Sequence, residues 1–100
     1  MIVVTGHITV APDHRDAALA GIADLVAATR AEDGNLEYRY SADLGEPDRI
    51  NIEERWESED ALNIHAATAH MATFFGLIAP CIGGSVSIVR YDVSGSSTIF

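Results

Sequence analysis

The strongest constraint on how this chain can fold is the way its hydrophobic period switches along the sequence. In I-V-V-T-G-H-I-T-V, Ile2, Val4, Gly6, Ile8 and Val10 share one face of a strand, and Val3, Thr5, His7 and Thr9 share the other. A-P-D breaks this strand, and from about Asp13 to Glu32 the period becomes helical, carried by Leu19, Ile22, Val26 and less strongly Ala23. Asp13 and Asp16 suit the helix start and Gly34 suits its end. Gly21 inside the helix costs about 1 kcal/mol against Ala, which suggests close packing on a sheet. Period 2 then returns twice, with Leu36, Tyr38, Tyr40 and Ala42 on one face, then Ile50, Ile52, Glu54 and Trp56. L-G-E-P-D between these runs supplies a turn, so they are expected to form a hairpin. Ser58 suits the N-cap of a second helical region reaching about Ile78, with room for a break between Thr68 and His70. Pro80, Gly83 and Gly84 end it, and S-V-S-I-V-R-Y-D-V reads as the last strand.

The order β-α-β-β-α-β is the split βαβ, or ferredoxin-like, α+β pattern, with a four-stranded antiparallel sheet and both helical regions on one face. Residues 1–93 read as a single domain and residues 94–100 as a C-terminal tail. Val3, Val89 and Tyr91 fall opposite the other apolar residues of their strands, so the second sheet face is not purely polar. Two such sheets packed face to face would bury that surface in a homodimer. A chain of 100 residues, which leaves much apolar area uncovered, favours the same expectation.

Composition excludes several partners. Fifteen Asp and Glu face six Arg and no Lys, a net charge of -9, so nucleic acid and anionic membrane surfaces would be repelled. The single cysteine, Cys81, allows no internal disulfide and suits a small apolar filler. The first ten residues lack a basic region followed by a long apolar run, so a cytoplasmic location is expected.

Glu54 is the informative anomaly, because it sits in phase with Ile50, Ile52 and Trp56 while Glu53 and Arg55 take the other phase. A carboxylate on an apolar face costs several kcal/mol unless hydrogen-bonded or protonated, so it is either a structural anchor or a tuned acid or base. His65 and His70 are five apart, which on an unbroken helix separates them by about 140°. That spacing argues against a metal site, for which i, i+4 is favoured and a further His or Cys would be needed. If the helix breaks near Thr68, both imidazoles could face one cavity; otherwise His65 is a core residue and His70 a helix-start residue. Tyr38, Trp56, Phe74 and Phe75 could line that space or simply form core. His7 belongs to the second sheet face, and His14 is expected in solvent.

E-D-G-N-L-E-Y followed by E-E-R-W-E-S-E-D-A-L-N-I-H-A-A-T-A-H-M-A-T-F-F resembles the antibiotic biosynthesis monooxygenase (ABM) domain family over about Val3 to Asp92. The spacing of Glu54, Trp56, His65 and His70 carries the resemblance. It implies a dimeric α+β barrel of ferredoxin-like protomers, each with a pocket between sheet and helices. It also implies a cofactor-independent monooxygenase, acting with O2 on a small quinol, anthrone or related polycyclic phenol. In that reading His65 and Glu54 are catalytic, and Tyr38, Trp56, His70 and Phe74 bind substrate. A non-oxidative isomerase or a binding protein for a small carbonyl metabolite is the alternative on the same scaffold. The chain departs from the family at Asn35, where many relatives carry Cys, and at Ala69, where Pro is usual. Haem-degrading relatives place Trp at the position of His65 and an iron-binding His where this chain has Phe75, which argues against haem degradation.

Overall fold

The computed structural model describes Met1–Phe100 and realises the expected order with one extra division. Strand β1 (Ile2–Val10) leads through a short 3-10 turn into α1 (Arg15–Arg30); β2 (Asn35–Ala42) and β3 (Arg49–Trp56) follow as the hairpin. Two helices come next, α2 (Glu59–Ala66) and α3 (Ala69–Ile78), and β4 (Ile82–Asp92) closes the chain. The sheet order is β2-β3-β1-β4, with every neighbouring pair antiparallel. Residues beyond Asp92 form no helix or strand, and no single helix is long and apolar enough to cross a membrane.

Alternation places Ile2, Val4, Ile8 and Val10 of β1 and Ile50, Ile52, Glu54 and Trp56 of β3 in the core, under the helices. These two central strands pair with Ile2 opposite Trp56 and Val4 opposite Glu54. On the other side of β3, Tyr38 stands opposite Glu54. Glu54 therefore projects into the helix-covered face from the middle of the sheet.

Three sequence expectations are corrected in detail. The buried stripe of α1 is Ala18, Gly21, Ile22, Leu25 and Thr29, whereas Leu19 is exposed. Residues 18, 22, 25 and 29 keep helical spacing, and Gly21 lets Leu77 of α3 approach where a Cβ would collide with it. That glycine serves helix–helix contact rather than the sheet. Leu36 is exposed because the β2–β3 register shifts between Asn35 and Glu37, which takes it out of the pattern it was expected to share with Tyr38.

The second helical region divides at Ala67 and Thr68, and its two parts diverge by 61°. Proline is absent, but Thr68 makes the break by itself. Its hydroxyl donates to the carbonyl of His65 at 2.7 Å and accepts from the Met71 amide at 3.3 Å, capping α3. Ser58 caps α2 in the same way through the Ala61 amide. Gly34, with φ of +82°, turns the chain from α1 into β2 and accepts from the Glu57 amide at 2.9 Å.

The helices do not reach across the whole sheet. Strand β4 is exposed along nearly all its length, with Val86 and Ile88 on the helix side and Val89 and Tyr91 on the other.

Candidate active site

His65 is the centre of the site. Its side chain is 3% exposed and lies in the last turn of α2, just before the Thr68 break. The indole of Trp56 packs against the imidazole with ring centroids 4.7 Å apart, and Tyr38 meets it edge-on at 5.3 Å. These rings fix its plane. Its Nδ1 lies 2.7 Å from Oε2 of Glu32, and Nε2 of His70 lies 2.8 Å from the same oxygen. A carboxylate only accepts, so in the neutral imidazole the proton sits on Nδ1 and Nε2 is left as a bare acceptor. That Nε2 is buried and has no hydrogen-bond partner.

Glu32 is the residue that sequence reasoning missed, having been read only as the end of α1. It follows the last turn of that helix, its amide bonded to the Thr29 carbonyl at 3.0 Å. A negative charge beside a helix C-terminus opposes the helix dipole, and that misplacement was the available signal. The turn to Gly34 then holds it beneath α2 and α3.

Glu54 is buried, and its Oε2 accepts from Trp56 Nε1 at 2.9 Å. Burial pushes this carboxyl above its usual range, against the opposing pull of the Trp56 N–H and of nearby His65. Both readings of Glu54 thus have a foothold: it is anchored by the indole and tuned by desolvation. The Tyr38 and Tyr40 hydroxyls approach each other at 3.4 Å. Burial raises both, Tyr40 to about 12, so they remain donors throughout the neutral range.

His65, Glu54, Tyr38, Tyr40 and Phe74 open onto a cavity of about 410 Å³ between the sheet and α2–α3. Of its 16 lining residues 14 are hydrophobic, leaving His65 and Glu54 as the two exceptions within an apolar wall. Val86 and Ile88 line it on the uncovered side. Phe75, expected among the aromatic lining, belongs to it as well. Trp56, expected in the pocket, lies wholly buried behind it and supports Glu54 and His65. His70 also stands outside this cavity; it borders a smaller one of about 150 Å³ with Asp24 and Leu77, between α1 and α3. Its link to His65 runs through Glu32.

The five-residue spacing disfavours a metal only where both histidines share one unbroken helix. Here they stand on two, and one donor atom each from Glu32, His65 and His70 lie within 4.8 Å of one another. The outward residues behave as expected: His14 is exposed, and His7 bonds Ser85 at 2.9 Å on the second sheet face.

The comparisons with known proteins agree with this architecture. The antibiotic biosynthesis monooxygenase family model matches residues 1–77. The Bacillus subtilis protein named "Putative monooxygenase YcnE" is 32% identical over 94 residues, covering 94% of this chain and 99% of that protein. Among solved structures, PA3566 from Pseudomonas aeruginosa shares 29% identity at a TM-score of 0.82, covering 93% of this chain and 94% of that one. A Deinococcus radiodurans structure, described as a "putative antibiotic biosynthesis monooxygenase", superposes at a TM-score of 0.91 with 24% identity, over 100% of this chain and 99% of that one. At that identity the likeness speaks for the ferredoxin-like fold alone. The chain therefore belongs to the antibiotic biosynthesis monooxygenase family, with the general monooxygenase role that membership carries.

Proposed function

We propose that the chain oxygenates a small electron-rich phenol of the quinol or anthrone class without a bound cofactor, using His65 as base. The observation that carries this reading is the bare, buried Nε2 of His65 at the wall of an apolar cavity. A lone acceptor in such a wall is costly until something donates to it, and an acidic hydroxyl or activated C–H is such a donor. The cavity volume lies within the range of small-molecule sites.

For an anthrone-like methylene the steps balance as follows. His65 Nε2 removes a proton, and the enolate carbon bonds to O2, which is reduced to a peroxide. The peroxide is protonated, a second C–H proton leaves, and the O–O bond breaks to give a ketone and water. Glu32 stabilises the imidazolium that forms on His65 through the existing Nδ1–H bond. The Tyr38 and Tyr40 hydroxyls are available to hold the developing oxyanion. Glu54, whose carboxyl stays protonated more readily than usual, supplies the proton for the peroxide.

The same base and acid on one cavity also suit enolisation of a carbonyl compound, which needs no oxygen. Oxygen uptake by the purified protein with simple quinols and anthrones separates the two. We expect uptake that His65→Ala abolishes. Turnover that proceeds anaerobically supports the isomerase reading, and uptake equal in wild type and His65→Ala refutes the assignment of the base.

We further propose that the working form is a homodimer. Val86, Ile88, Val89 and Tyr91 of β4 are each 42–52% exposed, and two of them border the cavity on its open side. A mass of two chains in light scattering is expected; a monomer at micromolar concentration contradicts it.

A further inference from the structure

We propose that Glu32, His65 and His70 form a binding site for a divalent cation of the zinc class, separate from any cation-free turnover at Nε2 of His65. Three donors of the kind that borderline metals prefer converge from three segments: the turn after α1, the end of α2 and the start of α3. They are Oε2 of Glu32, Nδ1 of His65 and Nε2 of His70, with the two nitrogens 2.7 and 2.8 Å from the oxygen.

Tetrahedral zinc with bonds of about 2.0–2.1 Å sets its ligand atoms about 3.3 Å apart. The two N···O pairs thus need to spread by about half an ångström; rotation of the partly exposed His70 side chain opens one, and a small shift of the Glu32 carboxylate opens the other. Two further features fit a cation better than hydrogen bonding alone. The second oxygen of Glu32 is buried without a partner, so the carboxylate has unused capacity beside the site. His70 is 29% exposed, which gives an ion a way in from solvent, whereas His65 is closed off. Three protein ligands are the number that leaves a coordination position open.

Occupation has a consequence for the cavity. A cation on Nδ1 displaces the proton carried there, and in the neutral ring that proton moves to Nε2. The bare acceptor becomes a donor, so the metal-loaded chain loses its base. This consequence rests on the function proposed above; the binding itself does not.

The test is titration of the chelator-treated full chain with Co2+, followed by its visible bands, and with Zn2+ by calorimetry. One cation per chain is expected, with affinity falling more than about a hundredfold in both Glu32→Gln and His70→Gln. That exceeds the 10–100-fold that removing a neighbour which merely supports a ligand costs. Far-ultraviolet dichroism checks that each variant is folded, and His70, at the surface, gives the safer of the two. No saturable binding below about 1 mM, or equal binding in wild type and His70→Gln, overturns the proposal. Oxygen uptake by the metal-free chain is measured separately, so failure of the cation site leaves the base reading standing and the reverse also holds.

Discussion

Replacing Glu32 by glutamine keeps the side-chain shape and removes its charge. One carboxylate oxygen accepts from two imidazole N–H groups, at 2.7 and 2.8 Å, with 12% of the side chain exposed. A hydrogen bond to a charged group contributes about 1.5–3 kcal/mol and a neutral one about 0.5–1.5, so two bonds lose about 2–3 kcal/mol between them. Relief from burying a carboxylate offsets part of that, leaving a net loss of about 1–2 kcal/mol. For a domain of this size the melting temperature falls by about 5–15 °C, measured by circular dichroism at fixed protein concentration. Turnover suffers more, because the imidazolium formed on His65 then lacks its counter-charge. Two unit charges about 4 Å apart at an effective dielectric of 20 attract by about 4 kcal/mol. The expected loss in kcat is therefore about a hundredfold to a thousandfold, with KM changing far less. A Glu32→Gln protein with wild-type melting temperature and wild-type kcat refutes the claim that this carboxylate holds and charges the base.

Trp56→Phe removes the N–H that Glu54 accepts, leaving a buried carboxyl without a donor, and is expected to destabilise the fold by about 1–3 kcal/mol. Because the folded-state pKa of Glu54 is raised, its stabilising protonated form is lost as pH rises through that pKa, and loss of the donor raises it further. The cost of Trp56→Phe is thus larger at pH 8 than at pH 5 in denaturant titrations, and the opposite trend contradicts the sign. Gly34→Ala forces a side chain into a left-handed conformation, which costs about 1–2 kcal/mol, and sets its Cβ 2.7 Å from that of Ala61. Lower stability and weaker coupling of Glu32 to His65 follow, seen as a lower melting temperature and a changed His65 imidazole signal; an unchanged protein contradicts the role given to that turn.

Much of the fold was legible because strand and helix periods are local properties. The phase of Glu54 against Glu53 and Arg55 placed a carboxyl on the core face, where the structure has it. The α1 stripe was misjudged because small residues, Ala18 and Gly21, make the closest approach while the larger Leu19 stays outside. Helix packing selects for fit, which a hydrophobicity pattern does not rank. The break at Thr68 was legible only in part: proline was the expected breaker, yet a hydroxyl bonding backward and forward does the same work. Glu32 was missed because it meets the histidines 33 and 38 residues later in the chain. Such convergence depends on tertiary placement of two helix ends, and only the unfavourable position of its charge was visible beforehand. Trp56 and His70 were assigned to the pocket because they share its motif, but one lies behind the wall and the other across Glu32 from it.

The central claim is that His65 presents a bare Nε2 to the cavity because Glu32 holds its proton on Nδ1. Long-range 1H–15N correlation spectra of the uniformly labelled, metal-free protein report this directly. At neutral pH the account predicts a protonated Nδ1 and an unprotonated Nε2 for His65, with the arrangement lost in Glu32→Ala, which removes the acceptor. A proton on Nε2, or a tautomer mixture unchanged by Glu32→Ala, contradicts it.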